Sequence, residues 1–239
     1  MGSRARRRRC RSVFCALVLC VVSAWARAGE GVILLHGLCR TERSMRPMEV
    51  ALRGAGYEVL NVDYPSRTAT AEELAGSVVP AALANPQLKG CARVHFVTHS
   101  MGGILVRAYF ASHKEPRLGR VVMLGPPNQG SEVVDSFGDW WLFRKLNGPA
   151  GGGLGTGVEE GPSRLGAVRF ELGVIAGDRS INWINSLLIP GPDDGKVSVE
   201  RTHVAGERQH LVMHVSHPFL MSDKAVIARV LSFLKTGAF

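Results

Sequence analysis

Ser100 sits in VHFVTHSMGGILVRAYF (94–110), an apolar run that breaks at His99-Ser100-Met101-Gly102-Gly103 and resumes with helical character. A serine at such a strand-to-helix turn holds its hydroxyl out at a sheet edge. There it can attack a carbonyl if a base takes its proton and a carboxylate orients that base. The turn needs small residues two places to either side of the serine. Gly102 meets that need, while Thr98 gives T-x-S-x-G where the usual pattern is G-x-S-x-G. A serine that merely caps a buried helix would look the same locally, so the decision falls to the rest of the chain.

The base must come from elsewhere in the sequence. His210, His214 and His217 form H-x-x-x-H-x-x-H, which on a helix would gather three imidazoles on one face, as zinc requires. QHLVMHVSHP instead reads as a strand running into a loop at Pro218, where a helix is disfavoured, and no metal is expected. His217 lies just past that strand, where carboxyl-edge loops converge on Ser100, and is the expected general base. His95 and His99 are assigned to packing and turn structure. For the carboxylate that fixes the imidazole tautomer, spacing permits Asp178, Asp193 or Asp194, all of which also suit ordinary turns.

Strands and helices alternate around these residues. Strands are expected at Gly31–His36, Glu58–Asp63, Arg93–Thr98, Val121–Leu124, Phe170–Ala176 and near Leu211–Val215. Helices are expected at Ser44–Arg53, Glu72–Ala84 and Gly102–Ser112, and a closing helix capped by Ser222 buries Val226, Ile227, Val230, Leu231 and Leu234. Such alternation is that of an α/β fold, a parallel sheet covered by helices on both faces. At 239 residues and 46% hydrophobic, the chain can bury one sizeable core as one domain.

LLHGL (34–38), THSMGG (98–103), LGPPNQGS (124–131), DDGKVSV (193–199) and His217 in HVSHPFLM occur in the order Ser, Asp, His. From about Gly31 to the C-terminus the chain thereby resembles a small bacterial lipase or esterase of the α/β-hydrolase superfamily. The resemblance implies a compact, mostly parallel sheet of about six strands with a small lid-like insertion. It implies an oxyanion hole made by the backbone N–H groups of Leu38 and Met101, His36 taking part through its backbone. Asp194 stands where this family has its acid. The activity implied is cleavage of carboxylic esters, of acyl or lipid type, with no cofactor. Acyl transfer or amide cleavage would use the same groups. A non-catalytic envelope binding protein is disfavoured because every residue type the reaction needs is present in order.

The formal charge of +9 would suggest an anionic partner such as nucleic acid. Its source is local. Residues 1–28 carry an arginine-rich start, an apolar run from Val13 to Ala24 and Ala26-Arg27-Ala28, the pattern of a cleaved secretory signal peptide. Its removal takes seven arginines and no acids and leaves 22 Lys+Arg against 20 Asp+Glu. The expected product is a nearly neutral domain over 29–239, periplasmic or secreted, without a nucleic-acid partner. Of the remaining cysteines, Cys39 follows one strand and Cys91 precedes its parallel neighbour, too far apart to bridge. The insertion at 128–165 holds SFGDWWLFRKL, with Trp140 and Trp141, either a lid for acyl chains and transient lipid-surface contact or an ordinary packed helix. The following GPAGGGLGTG is expected to lack regular structure.

Overall fold

The apolar runs become six strands: β1 (Glu30–Leu35), β2 (Glu58–Val62), β3 (Arg93–His99), β4 (Leu118–Leu124), β5 (Leu172–Gly177) and β6 (Gln209–Met213). A computed structural model describes residues 29–137, 148–151, 153–157 and 161–239. The strands form one sheet in the order β2-β1-β3-β4-β5-β6, and all five pairings are parallel. Parallel pairing puts the carboxyl ends of all six strands on one edge, where an α/β sheet collects its chemistry.

Helices α1 (Arg46–Gly54), α2 (Ala71–Leu83), α3 (Met101–Ser112), α4 (Glu132–Phe137), α5 (Trp183–Ser186) and α6 (Lys224–Thr236) accompany the sheet, with short 3-10 turns among the connections. Strand residues alternate between two cores, as the two-residue period dictates. Ile33, Leu35, Phe96 and Val174 pack with α2 and α3 on one face, whereas Val32, Leu34, Val97 and Ile175 pack with α1 and α6 on the other. The strands are therefore apolar on both sides, which explains their unbroken hydrophobic runs.

Several boundaries differ from the sequence expectation. β4 begins at Leu118, three residues early, because Leu118 pairs with Val94 across a register shift before the apolar run starts. α1 begins at Arg46, after a 3-10 turn over Glu42–Met45. The cap of α6 is Asp223 and not Ser222. The Asp223 carboxylate accepts from the N–H groups of Ala225 and Val226, and the Ser222 hydroxyl turns back to the Phe219 carbonyl. A carboxylate at a helix start also meets the positive end of the helix dipole. Val226, Val230 and Leu234 are buried on this helix as expected, together with Phe233, while Ile227 and Leu231 are half-buried.

Part of the glycine-rich run is ordered, contrary to expectation. Residues 148–151 are helical, and Ala150 and Leu154 are buried in the core shared with α2 and α3. The small apolar side chains interspersed among the glycines account for this, since they give the run something to bury. Residues 138–147, with Trp140 and Trp141, and the expected signal peptide at 1–28 lie outside the described residues. Cys91 lies at the amino end of β1, against Gly31, and Cys39 follows that strand's carboxyl end. The two cysteines are thus at opposite ends of the β1–β3 pair.

Candidate active site

Ser100 joins β3 to α3 with φ 51 and ψ −123, a conformation that belongs to glycine at the first central position of a type II′ turn. A non-glycine residue held there stores strain, typically of order 1–3 kcal/mol. The turn is fixed on both sides: the Ser100 N–H donates to the Leu124 carbonyl of β4, and its carbonyl accepts from Gly103. Ser100 is half-buried. It opens on a cavity of about 310 Å³ that His217 also lines.

The elbow is possible because α3 lies hard against β1. A methyl at Gly102 would stand 2.7 Å from the Leu35 carbonyl and 2.9 Å from that of His36. Leu35 ends β1 and is paired on both sides, and the His36 carbonyl is held by the Tyr64 hydroxyl. Gly102→Ala is expected to cost about 1–3 kcal/mol of stability, the usual penalty of overpacking, and to depress activity through the displaced turn. Urea unfolding checks it; wild-type stability would mean that the β1–α3 spacing can relax. Thr98, the mismatch in the motif, is buried, and its hydroxyl is 3.2 Å from where a Gly103 methyl would be. The second glycine makes room for the threonine.

His217 and Asp194 are brought together. The His217 Nδ1 lies 2.7 Å from Asp194 Oδ2, and the second carboxylate oxygen accepts from the N–H groups of Lys196 and Val197 at 3.0 and 2.9 Å. The His217 N–H also donates to the Asp194 carbonyl at 2.9 Å. Both side chains are buried. Because a carboxylate only accepts, the imidazole proton sits on Nδ1 and leaves Nε2 with a lone pair. Gly125, at the end of β4 with φ 53, gives the pair its space, since a methyl there would come within 3.0 Å of both Asp194 Oδ2 and His217 Nδ1.

The other candidate acids go elsewhere. Asp193 Oδ1 accepts from the Gly195 N–H and the Ser186 hydroxyl, which shapes the loop. Asp178 pairs with the exposed His214 at 2.9 Å. His210 bonds Thr202 at 2.7 Å and stacks on His203 with ring centroids 3.7 Å apart. Burial and the nearby His203 lower its pKa to about 4. The three histidines of the H-x-x-x-H-x-x-H segment therefore serve three different partners.

The turn after β1 is held by residues that sequence inspection passed over. The Tyr64 hydroxyl donates to the His36 carbonyl at 2.5 Å, and its ring stacks on the His36 imidazole at 4.1 Å. The Ser66 hydroxyl accepts from the Cys39 N–H. Burial lowers the His36 pKa, against the Gly37 carbonyl beside Nδ1 and the Asp63 carboxylate 3.4 Å from Nε2. Leu38, the next residue, lines the cavity, and Met101, as the first residue of α3, has an N–H with no partner inside the helix. His99 does more than pack. Its Nε2–H donates to the His217 carbonyl at 3.0 Å, and the two rings lie 4.7 Å apart. Burial and the neighbouring His217 push its pKa well below the usual value. The signal for Tyr64 and Ser66 was their position directly after β2; for His99, adjacency to Ser100.

Residues 32–193 match the model of the alpha/beta hydrolase family, and the chain belongs to that family. No curated protein matches it. Among solved structures, it is similar to the mature lipase of Bacillus licheniformis, with TM-score 0.69 and 20% identity over 89% of this chain and 94% of that one. It is also similar to a metagenomic carboxyl esterase, with TM-score 0.62 and 18% identity over 80% of this chain and 65% of the other. A phospholipase from Legionella pneumophila follows, with TM-score 0.61 and 22% identity over 73% of this chain and 44% of its own. At such identities the likeness is one of fold.

Proposed function

We propose that the protein is a serine hydrolase that cleaves carboxylic esters through Ser100, His217 and Asp194, exported by the leader at residues 1–28. The observation that carries this is the pairing of a strained Ser100 with a His217 whose Nδ1 is tied to Asp194, serine and histidine facing one cavity. Strain of this kind persists only where the surroundings enforce it, and it clusters at active sites. The names of the three structural neighbours, a lipase, a carboxyl esterase and a phospholipase, support the ester class.

In this mechanism the Ser100 hydroxyl attacks the ester carbonyl while His217 Nε2 takes its proton. The backbone amides of Leu38 and Met101 receive the developing oxyanion. His217, now an imidazolium held by Asp194, returns the proton to the leaving alcohol, and water cleaves the acyl-enzyme by the same steps. The serine and histidine need to close to hydrogen-bond distance only when substrate fills the cavity, as is common for unliganded sites.

The test is labelling of the purified protein with a fluorophosphonate, the modified residue being located by mass spectrometry, with a chelator-treated sample in parallel. Stoichiometric modification at Ser100, indifferent to the chelator, is the expected result. Failure to label, with or without detergent, would overturn the proposal.

A further inference from the structure

The wall of the Ser100 cavity divides by chemistry. Pro127, Val133, Val134, Leu154 and Val197 make one apolar surface, and the charged side chains that line it are Arg40 and Lys196. No acid lines it among the described residues. Both cations are exposed at its mouth, and neither has an acidic partner among the described residues.

These charges are carried on anchored backbone. The Lys196 N–H is bound to Asp194 Oδ1, and the Ser131 hydroxyl donates to the Lys196 carbonyl at 2.7 Å. Arg40 follows Cys39, whose N–H is bound to Ser66, and the Arg40 N–H donates to the Gly37 carbonyl. The cations therefore flank the cavity from the turn after β1 and from the loop that holds Asp194. A mouth with charge of one sign raises the local concentration of a counter-charged substrate and orients it.

Resting on the ester-hydrolase proposal, we infer that the substrate is an amphiphilic ester with an anionic group, phosphate or carboxylate, beside the scissile bond, and that Arg40 and Lys196 select it. The apolar wall takes the acyl chain. A cavity of about 310 Å³ is at the small end for ligand sites, which suits a short chain.

The experiment compares two matched pairs of esters. One is phenyl butyrate against 3-carboxyphenyl butyrate. The other is monooctanoylglycerol against its lysophosphatidic counterpart, both kept below aggregation. The anionic member of at least one pair is expected to have a kcat/KM about tenfold higher in low salt, the advantage shrinking at about 0.5 M salt, where screening acts within a few ångströms. The anionic-to-neutral ratio is expected to collapse in Arg40→Gln/Lys196→Gln and to invert in Arg40→Glu/Lys196→Glu. A preference confined to the lysophosphatidic pair assigns the anion to a lipid headgroup; one confined to the aryl pair assigns it to a soluble carboxylate. Equal kcat/KM within both pairs for the wild type, or a preference that survives both double variants, would overturn the inference while leaving ester hydrolysis intact. No turnover of any ester together with no labelling of Ser100 would instead overturn the parent proposal, and this inference with it.

Discussion

Ser100→Ala is expected to fold like the wild type and to turn over esters at least about 10⁴-fold more slowly. The loss follows from removing the only atom that forms the acyl bond, while cavity, amides and the His217–Asp194 pair remain to give a small residual rate. Folding is preserved because the turn is held through the backbone, the Ser100 N–H on the Leu124 carbonyl and the Ser100 carbonyl on the Gly103 N–H, and alanine keeps both bonds. The strain is a property of the Cβ at φ 51, and alanine keeps it. Ser100→Gly separates the two effects. It should be equally inactive yet more stable by about 1 kcal/mol, because glycine occupies this conformation without steric cost. Steady-state kinetics beside urea unfolding of both variants checks this. An active Ser100→Ala would move the nucleophile elsewhere, and a destabilised Ser100→Gly would mean that the elbow carries no strain.

Much of this arrangement was legible in the chain. The strands are apolar on both faces, so their runs stood out, and the breaks at His36-Gly37 and His99-Ser100 marked turns on the edge where the site formed. What local pattern could not reveal depends on contacts between distant segments. Thr98 looked like a defect in the motif, and only the packing of Gly103 beside it shows how the chain accommodates it. The extra residues of β4 are Leu118, Gly119 and Arg120: a glycine and a charge cut Leu118 off from the apolar run, and its pairing with Val94 across a register shift brings it into the strand. Ser222 and Asp223 are adjacent and both suited to capping, and the choice between them is set by which one the preceding turn already uses. Tyr64 gave no sign of its bond to the His36 carbonyl, because its partner is 28 residues away.

The acid was the least determined of the site residues, and it yields the second large effect. Asp194→Asn is expected to lower kcat/KM by about 10⁴-fold, as loss of the correct tautomer does in serine hydrolases, whereas Asp178→Asn should change it less than about twofold. Two backbone donors, from Lys196 and Val197, converge on Asp194 Oδ1. An asparagine in this place must keep its carbonyl oxygen toward them, which turns its NH₂ group toward His217 Nδ1. Nδ1 then accepts, the ring proton moves to Nε2, and the nitrogen that should take the Ser100 proton is already protonated. Asp178 pairs with His214, whose side chain is 76% exposed, and an exposed pair of this kind contributes less than about 1 kcal/mol. Kinetics of the two variants, with near-native thermal unfolding as the control, decides the matter. The reverse order of damage would assign the acid to Asp178, and equal, small effects would leave His217 working without a carboxylate partner.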